Sequence, residues 1–195
     1  MTADRWPRSR SARRHVDPDP DLALVAAART DRQAFAALYD RYVDRVYSYA
    51  YYQLGDHHDA EDVTERTFVA ALDALDRFED RGSTFRSWLF RIAHNSLANQ
   101  RRSRIRLRRR TEQLDEVLER AAPDDVDATV VRRDESRRVW RAVARLPLER
   151  RRVVLLRFVD ELTSREIGEV LGRSEGAVRV LLHRALREMA ETLGD

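Results

Sequence analysis

The sequence predicts an all-α protein, two small helical domains joined by a flexible acidic linker, the second containing a helix-turn-helix. Three observations carry that prediction. Apolar residues recur at i, i+3, i+4 and i+7 over most of the 195 residues. Only 6 glycines and 5 prolines are present, too few for the many tight turns of an all-β protein. Charge also changes sign along the chain, from an arginine run at 100–110 to a carboxylate-rich stretch at 111–135. A hydrophobic share of 43% supports real cores, and 36% charged residues leaves helices with heavily solvated faces.

The totals also exclude some chemistry. There is no cysteine, so disulfides, thiolate metal sites and cysteine catalysis are ruled out. All 37 basic residues are arginine, and the formal net charge is +3. Arginine gives permanent charge and a planar fork suited to phosphate and guanine, although GC-rich codon usage yields the same bias. No apolar run approaches the ~20 residues that span a bilayer. The arginine-rich start lacks the apolar core of a secretory signal, so no membrane insertion and a cytoplasmic location are expected.

Residues 1–20 carry five arginines and three prolines with little to bury, and read as a disordered tail. A first domain is expected over 21–110. Its first helix opens at Asp21 or the turn before it and contains Leu22, Val25 and Ala26. A second runs from about Arg32 to Leu54, with Phe35, Leu38, Tyr39, Tyr42, Val46, Tyr49 and Ala50 at helical spacing, and Gly55 stops it. At that spacing most of the tyrosines belong to core packing rather than base stacking. A third helix is expected from near Asp59 to about Phe78, with Asp62, Arg66, Val69 and Asp73 along its outer face. His57 and His58 are adjacent and point different ways, with no third ligand in view, so no metal and no cofactor is expected.

Ser83 or Thr84 is the expected cap of a fourth helix, whose buried stripe is Phe85, Trp88, Leu89, Ile92, Ala93 and Ser96. Its far side carries His94, Asn95 and Asn99, then seven arginines within residues 100–110. Such density repels itself unless something anionic neutralises it, which points to nucleic acid. Residues 111–135 read as the acidic linker. It would keep two basic modules from clamping shut on stray DNA, or lie in a basic channel of a partner.

A second domain is expected over 136–195. Val139, Trp140 and Val143 form one stripe, and Leu146-Pro147 ends that helix. Val153, Val154, Leu155, Leu156 and Phe158 are expected to pack beneath a helix-turn-helix over 163–187. Ile167 and Leu171 share one face of a short helix, Gly172 turns the chain and Ser174 caps the last helix. Gly168 has no side chain to hold that last helix away. With Val178, Leu181, Leu182, Ala185 and Met189 inward, a 100° step turns Gly176, Val180, His183, Arg184 and Arg187 outward, with Arg179 on the flank. Helix, glycine turn and helix with a basic outer face form the DNA-reading pattern.

Together these motifs resemble the extracytoplasmic-function (ECF) type of bacterial RNA polymerase sigma factor, a sigma-70 family group. Asp59-Ala-Glu-Asp-Val-Thr-Glu-Arg-Thr-Phe68 is similar to that family's polymerase-clamp helix. Phe85-Arg-Ser-Trp-Leu-Phe-Arg-Ile-Ala-His-Asn95 is similar to its promoter-melting and −10 helix. Leu146-Pro-Leu-Glu-Arg-Arg-Arg-Val-Val-Leu-Leu-Arg157, with Ser174-Glu-Gly-Ala-Val-Arg179 and His183-Arg-Ala185, resembles its −35-reading domain. The chain departs from the usual pattern at Glu65-Arg66, at Val180-Leu181 and at Arg173.

The resemblance implies a non-enzymatic factor that binds core RNA polymerase and recognises and melts promoter DNA. Its contacts would be the polymerase β′ clamp and β flap. Asp62, Glu65, Arg66 and Val69 would meet the clamp. Gly82, Ser83, Thr84, His94, Asn95 and Asn99 would take an unstacked −10 base, with Arg101, Arg102 and Arg104 on the strand. Arg157, Ser174, Glu175, Gly176, Arg179, Val180, His183, Arg184 and Arg187 would sit at the −35 element. The linker would thread the polymerase's RNA path, imitating nucleic acid by charge. Members of this group are commonly held by an anti-sigma factor, which no feature of this sequence shows. A stand-alone regulator with a helical sensor domain needs neither the basic helix end nor the acidic linker. A nuclease needs carboxylates converging from separate elements, whereas Asp59, Glu61 and Asp62 share one helical turn.

Overall fold

The computed structural model describes residues 19–80, 83–111 and 130–194. The elements are α1 (Leu22–Thr30), α2 (Phe35–Leu54), α3 (His57–Ala74), α4 (Phe85–Thr111), α5 (Val130–Arg145), α6 (Leu148–Phe158), α7 (Ser164–Leu171) and α8 (Glu175–Gly194). Short 3-10 turns lead into α2 and out of α3, and there is no strand among the described residues. The expected tail, apart from its last two residues, and most of the expected linker lie outside the described residues.

Local chemistry sets the helix ends. Gly55 takes φ 69°, a left-handed conformation that ends α2 as expected. Asp56 accepts the Asp59 amide at 2.9 Å, so α3 begins at His57, two residues before the start expected from Asp59. It ends at Ala74, and a 3-10 turn replaces the expected last turn. Asp21 opens α1 as expected, its carbonyl accepting the Val25 amide at 2.9 Å, but its side chain caps nothing; the buried carboxylate accepts hydrogen bonds from the Tyr42 hydroxyl and the Arg41 guanidinium. Burial and this bond push the Tyr42 hydroxyl pKa upward, so it stays a donor. Asp19 accepts the Phe85 amide, so the start of α4 is tied down from a point 66 residues away.

In the first half the core is Leu38, Val46, Tyr49, Val63, Phe68, Phe85, Leu89 and their neighbours. Phe90 and Leu97 are also fully buried, outside the stripe expected for α4; Phe90 meets Tyr49 of α2 edge to face at 5.5 Å. In the second half α5 begins at Val130, so helix occupies six positions assigned to linker. Val153, Val154, Leu155 and Leu156 are buried as expected. Phe158, expected among them, is 58% exposed at the last position of α6, and Val139 also faces outward.

The two halves touch directly. Tyr52 of α2 lies flat on Trp140 of α5, with ring centroids 3.9 Å apart and planes 8° apart. Arg152 of α6 donates to the Gln53 side chain at 3.1 Å, and Arg151 to the Tyr52 carbonyl at 3.4 Å. These contacts set the frame in which the candidate faces sit.

Candidate nucleic-acid interfaces

The helix-turn-helix is built as its sequence demands. Thr163 and Glu166 form a capping box at the start of α7, each side chain bonding the other's backbone amide. Gly172 takes φ 65° and Ser174 accepts the Ala177 amide at 3.2 Å, so a left-handed turn leads into a capped α8. A Cβ on Gly168 would lie 2.5 Å from the Arg173 carbonyl oxygen, and the lack of one lets the turn close on α7. Arg173 is tied to Glu149 of α6 at 2.8 Å, a brace that sequence reasoning missed.

Val178, Ala185 and Met189 are buried, which turns the other face of α8 outward. Ser174, Glu175, Gly176, Arg179, Val180, His183, Arg184 and Arg187 are all exposed. Arg179 pairs with Glu175 and Arg187 with Glu191, each one turn away. Arg184 has no ion-pair partner among the described residues. Arg157 is exposed too, and donates to the Leu162 carbonyl at 3.0 Å. Gly176, Val180, His183, Arg184 and Arg187 thus share the outward face of α8 with Arg179 on its flank, while Arg157 is exposed on α6; arginines so placed are able to meet phosphates and base edges.

The set on α4 is divided. Asn95 and Asn99 are exposed on one face, and Asn99 accepts from Arg102 at 2.6 Å. His94 turns toward the second half, into a cleft it shares with Glu149, Arg152, Leu171, Arg173 and Leu181. Its Nδ1 lies 3.3 Å from the Tyr49 hydroxyl. Burial, then Arg152 and Arg101, lower its pKa to about 4, so the ring is neutral near pH 7. Thr84 accepts the Ser87 amide at 3.2 Å and donates to Glu166 of α7 at 2.6 Å. Ser83 bonds the Ser87 hydroxyl at 2.9 Å, and Gly82 lies outside the described residues.

The arginines beyond are also not equivalent. Arg101 donates to the Gln53 carbonyl at 2.7 Å, and Arg104 pairs with Asp56 at 3.3 Å and with Asp59. Only Arg102 of the three is bonded solely within its own helix among the described residues, and it is exposed.

On α3, Asp62, Glu65, Arg66 and Val69 are exposed along one side, Val69 at 53%. Arg66 reaches Asp62 at 3.3 Å and donates to Gln100 of α4 at 2.7 Å; Gln100 in turn donates to Asp59 at 2.7 Å. Gln100, hidden inside the arginine run, was not singled out from sequence. Tyr39 meets Phe68 at a tilt, ring centroids 4.8 Å apart, and is itself exposed rather than lying in the core.

These faces have known counterparts. The Sigma-70 region 2 family matches residues 38–107, and the Sigma-70, region 4 family matches residues 136–189. The ECF RNA polymerase sigma factor SigW of Bacillus subtilis is 32% identical over 179 residues, covering 85% of this chain and 91% of SigW. This chain belongs to the ECF sigma factors. The ECF RNA polymerase sigma factor BldN of Streptomyces coelicolor is 38% identical over 177 residues, 89% of this sigma factor and 66% of BldN. The solved structure of CnrH with the cytosolic domain of CnrY matches at TM-score 0.62 and 28% identity, covering 88% of this chain and 96% of that one. RpoE of Bartonella quintana, solved with the anti-sigma factor NepR, shares the fold at TM-score 0.68 and 22% identity over 82% of this chain and 96% of that one.

The sigma factor is thus a transcription initiation factor rather than a stand-alone regulator. Region 2 holds most of α2, all of α3 and most of α4; region 4 holds most of α5, then α6 and α7 and all but the end of α8. No helix among the described residues is long and apolar enough to cross a membrane.

Proposed function

We propose that this sigma factor reads the −35 element through α8 and captures an unstacked −10 base at α4. Arg179, Val180, His183, Arg184 and Arg187 enter the major groove, while Ser174, Glu175, Gly176 and Arg157 meet the backbone beside it. Asn95 and Asn99, with Ser83, Thr84, His94 and the loop at Gly82, form the base site, and Arg101, Arg102 and Arg104 lie along the strand. Asp62, Glu65, Arg66 and Val69 dock the clamp of core polymerase, and region 4 meets its flap. CnrH was solved with the cytosolic domain of CnrY and RpoE with the anti-sigma factor NepR; an anti-sigma factor is a partner we extend to this chain. The domain limits 21–110 and 136–195 belong to this reading, with helix extending into the linker from Val130.

The observation that carries the reading is the exposed basic face of α8 over a buried Val178, Ala185 and Met189. One lost arginine contact costs about 1–3 kcal/mol at a DNA interface. Arg184→Ala is therefore expected to reduce −35-dependent transcription about fivefold or more with purified core polymerase, while core binding is unchanged. Val69→Asp is expected to do the reverse, weakening core binding first. Equal loss of both activities in Arg184→Ala would remove the assignment of α8.

A further inference from the structure

Two charged side chains hold the ends of the connection from α3 to α4, and both come from residues 19–30. At the α3 end, Arg29 of α1 donates to the Leu75 carbonyl through Nε and Nη2, each at 3.3 Å, and to the Phe78 carbonyl. Leu75 opens the 3-10 turn after α3 and Phe78 follows it. The guanidinium thus meets carbonyls that a helix end leaves open, with the sign of charge favoured there. At the α4 end, one oxygen of Asp19 accepts the amide of Phe85, the first residue of α4. Its other oxygen accepts the Asp21 amide at 3.0 Å. A carboxylate suits the amide end of a helix for the same electrostatic reason.

The stretch that carries both groups is itself fixed. Val25 and Ala28 are buried and α1 packs on α2. Asp21 accepts from Tyr42, whose ring lies 5.9 Å from that of Phe85. Phe78 and Phe85 meet edge to face at 5.7 Å, and the Trp88 ring lies 5.3 Å from the first and 5.6 Å from the second. The two ends are therefore held against each other as well as against α1. Only residues 79–84 run between them, and the last two, Ser83 and Thr84, belong to the −10 set. Fixed ends leave so short a connection few courses, which cuts the ordering cost when a base is taken up. Asp19 and Arg29 both precede residue 38, where the match to region 2 begins.

We propose that Asp19 and Arg29 are positioning residues for −10 recognition: acting from one rail, α1, they fix the Phe78 and Phe85 ends so that Ser83 and Thr84 stand in register with Asn95 and Asn99 of α4. This rests on the assignment of those four residues to the −10 base. The arginines of α4 hold a strand whatever its sequence, whereas a base is read only by groups held in place. Loosening either end therefore costs base selectivity more than strand binding.

The test uses the full chain with purified core polymerase. The probe is a duplex library randomised across both promoter elements, each template carrying a transcribed barcode that is read by sequencing the RNA. Asp19→Ala and Arg29→Met remove one anchor each. In both, preference for the favoured base at the most selective −10 position is expected to fall about fivefold or more, the least that one misread base pair costs. Preferences at −35 and binding to core polymerase are expected to stay as in the unaltered chain. Val46→Ala, a buried α2 position that removes neither anchor, is the control for lost stability alone, its thermal midpoint measured beside the others. It is expected to melt earlier and keep its −10 preference. Unchanged −10 preference in the anchor variants overturns the proposal. So does an equal flattening in Val46→Ala, or a flattening of −35 and −10 together. Asn95→Ala separates the two readings. If it flattens −10 preference and the anchor variants do not, only the positioning role fails; if it leaves −10 preference intact, the −10 assignment fails and the positioning role with it.

Discussion

Single residues fix how closely the reading head is assembled, and Gly168 is the sharpest case. An added methyl there meets the Arg173 carbonyl at 2.5 Å, and a backbone atom cannot swing aside. Alanine's better helix propensity returns up to about 1 kcal/mol, less than overpacking of this kind costs. Gly168→Ala is expected to lose about 2 kcal/mol of stability. Gly172→Ala should lose about 1 kcal/mol, because its methyl meets open space and only the left-handed φ of 65° is strained. Urea midpoints followed by helical circular dichroism check the order; equal midpoints for Gly168→Ala and the unaltered chain would mean a wider crossing. Both glycines were legible in the sequence, since each follows from its immediate neighbours. Glu166 was not. Its capping-box role is local, but its bond to Thr84 spans 82 residues, and no spacing rule reaches that far. His94 was picked for its place on a polar face, yet it turns into the joint, because which side of α4 stays wet depends on α7.

At the scale of elements, helices were legible and their ends less so. Periodicity located α1 to α8, but Asp56 rather than Asp59 opens α3, and α5 reaches back to Val130. A cap bond and a helix continuing through a charged stretch leave no apolar period to read. The basic end of α4 looked uniform for the same reason, seven arginines with nothing to rank them. The contacts rank the first three, Arg101, Arg102 and Arg104. Arg104 clips α4 to the start of α3 through Asp56 and Asp59, whereas Arg102 reaches only Asn99 on its own helix. Arg102→Ala is expected to lower the salt slope of open-complex formation by about one phosphate contact and leave thermal stability unchanged. Arg104→Ala should also cost up to about 1 kcal/mol of stability, the range for a partly exposed ion pair. Melting curves beside a salt titration separate the two, and identical behaviour would deny the clip.

At the scale of the whole molecule, the joint between regions 2 and 4 was invisible in the sequence. Its members, Tyr52 and Trp140, Gln53 and Arg152, Thr84 and Glu166, are 82 or more residues apart and share no period. The joint nevertheless gives closure a pH dependence whose direction can be worked out. His94 faces Arg152, Arg173 and Glu149 of region 4, with Arg101 on its own helix and Tyr49 on α2. Closed, its pKa is about 4; opened to water it should return toward 6.5. The open form then binds the extra proton, so closure is complete above pH 6.5 and weakens as pH falls toward 4. Discounted for partial exposure, the effect is about 1–2 kcal/mol, near tenfold in the open-to-closed ratio. Asp160 opposes it. Burial pushes its carboxyl up, partly countered by Arg45 and Arg86, and neither oxygen has a hydrogen-bond partner among the described residues. A raised carboxyl takes its proton in the closed form, so this group favours closure as pH falls. Glu166 is held below its usual range by Thr84 and Thr163 against the push of burial, and titrates under the window. Asp160→Asn therefore leaves His94 in charge. In that variant, with Asp73→Cys and Glu191→Cys as its only thiols, energy transfer between dyes on the two cysteines should fall as pH drops from about 7.5 to about 5.5, and His94→Gln should abolish the trend. A slope that survives His94→Gln would place the proton elsewhere and take His94 out of the joint.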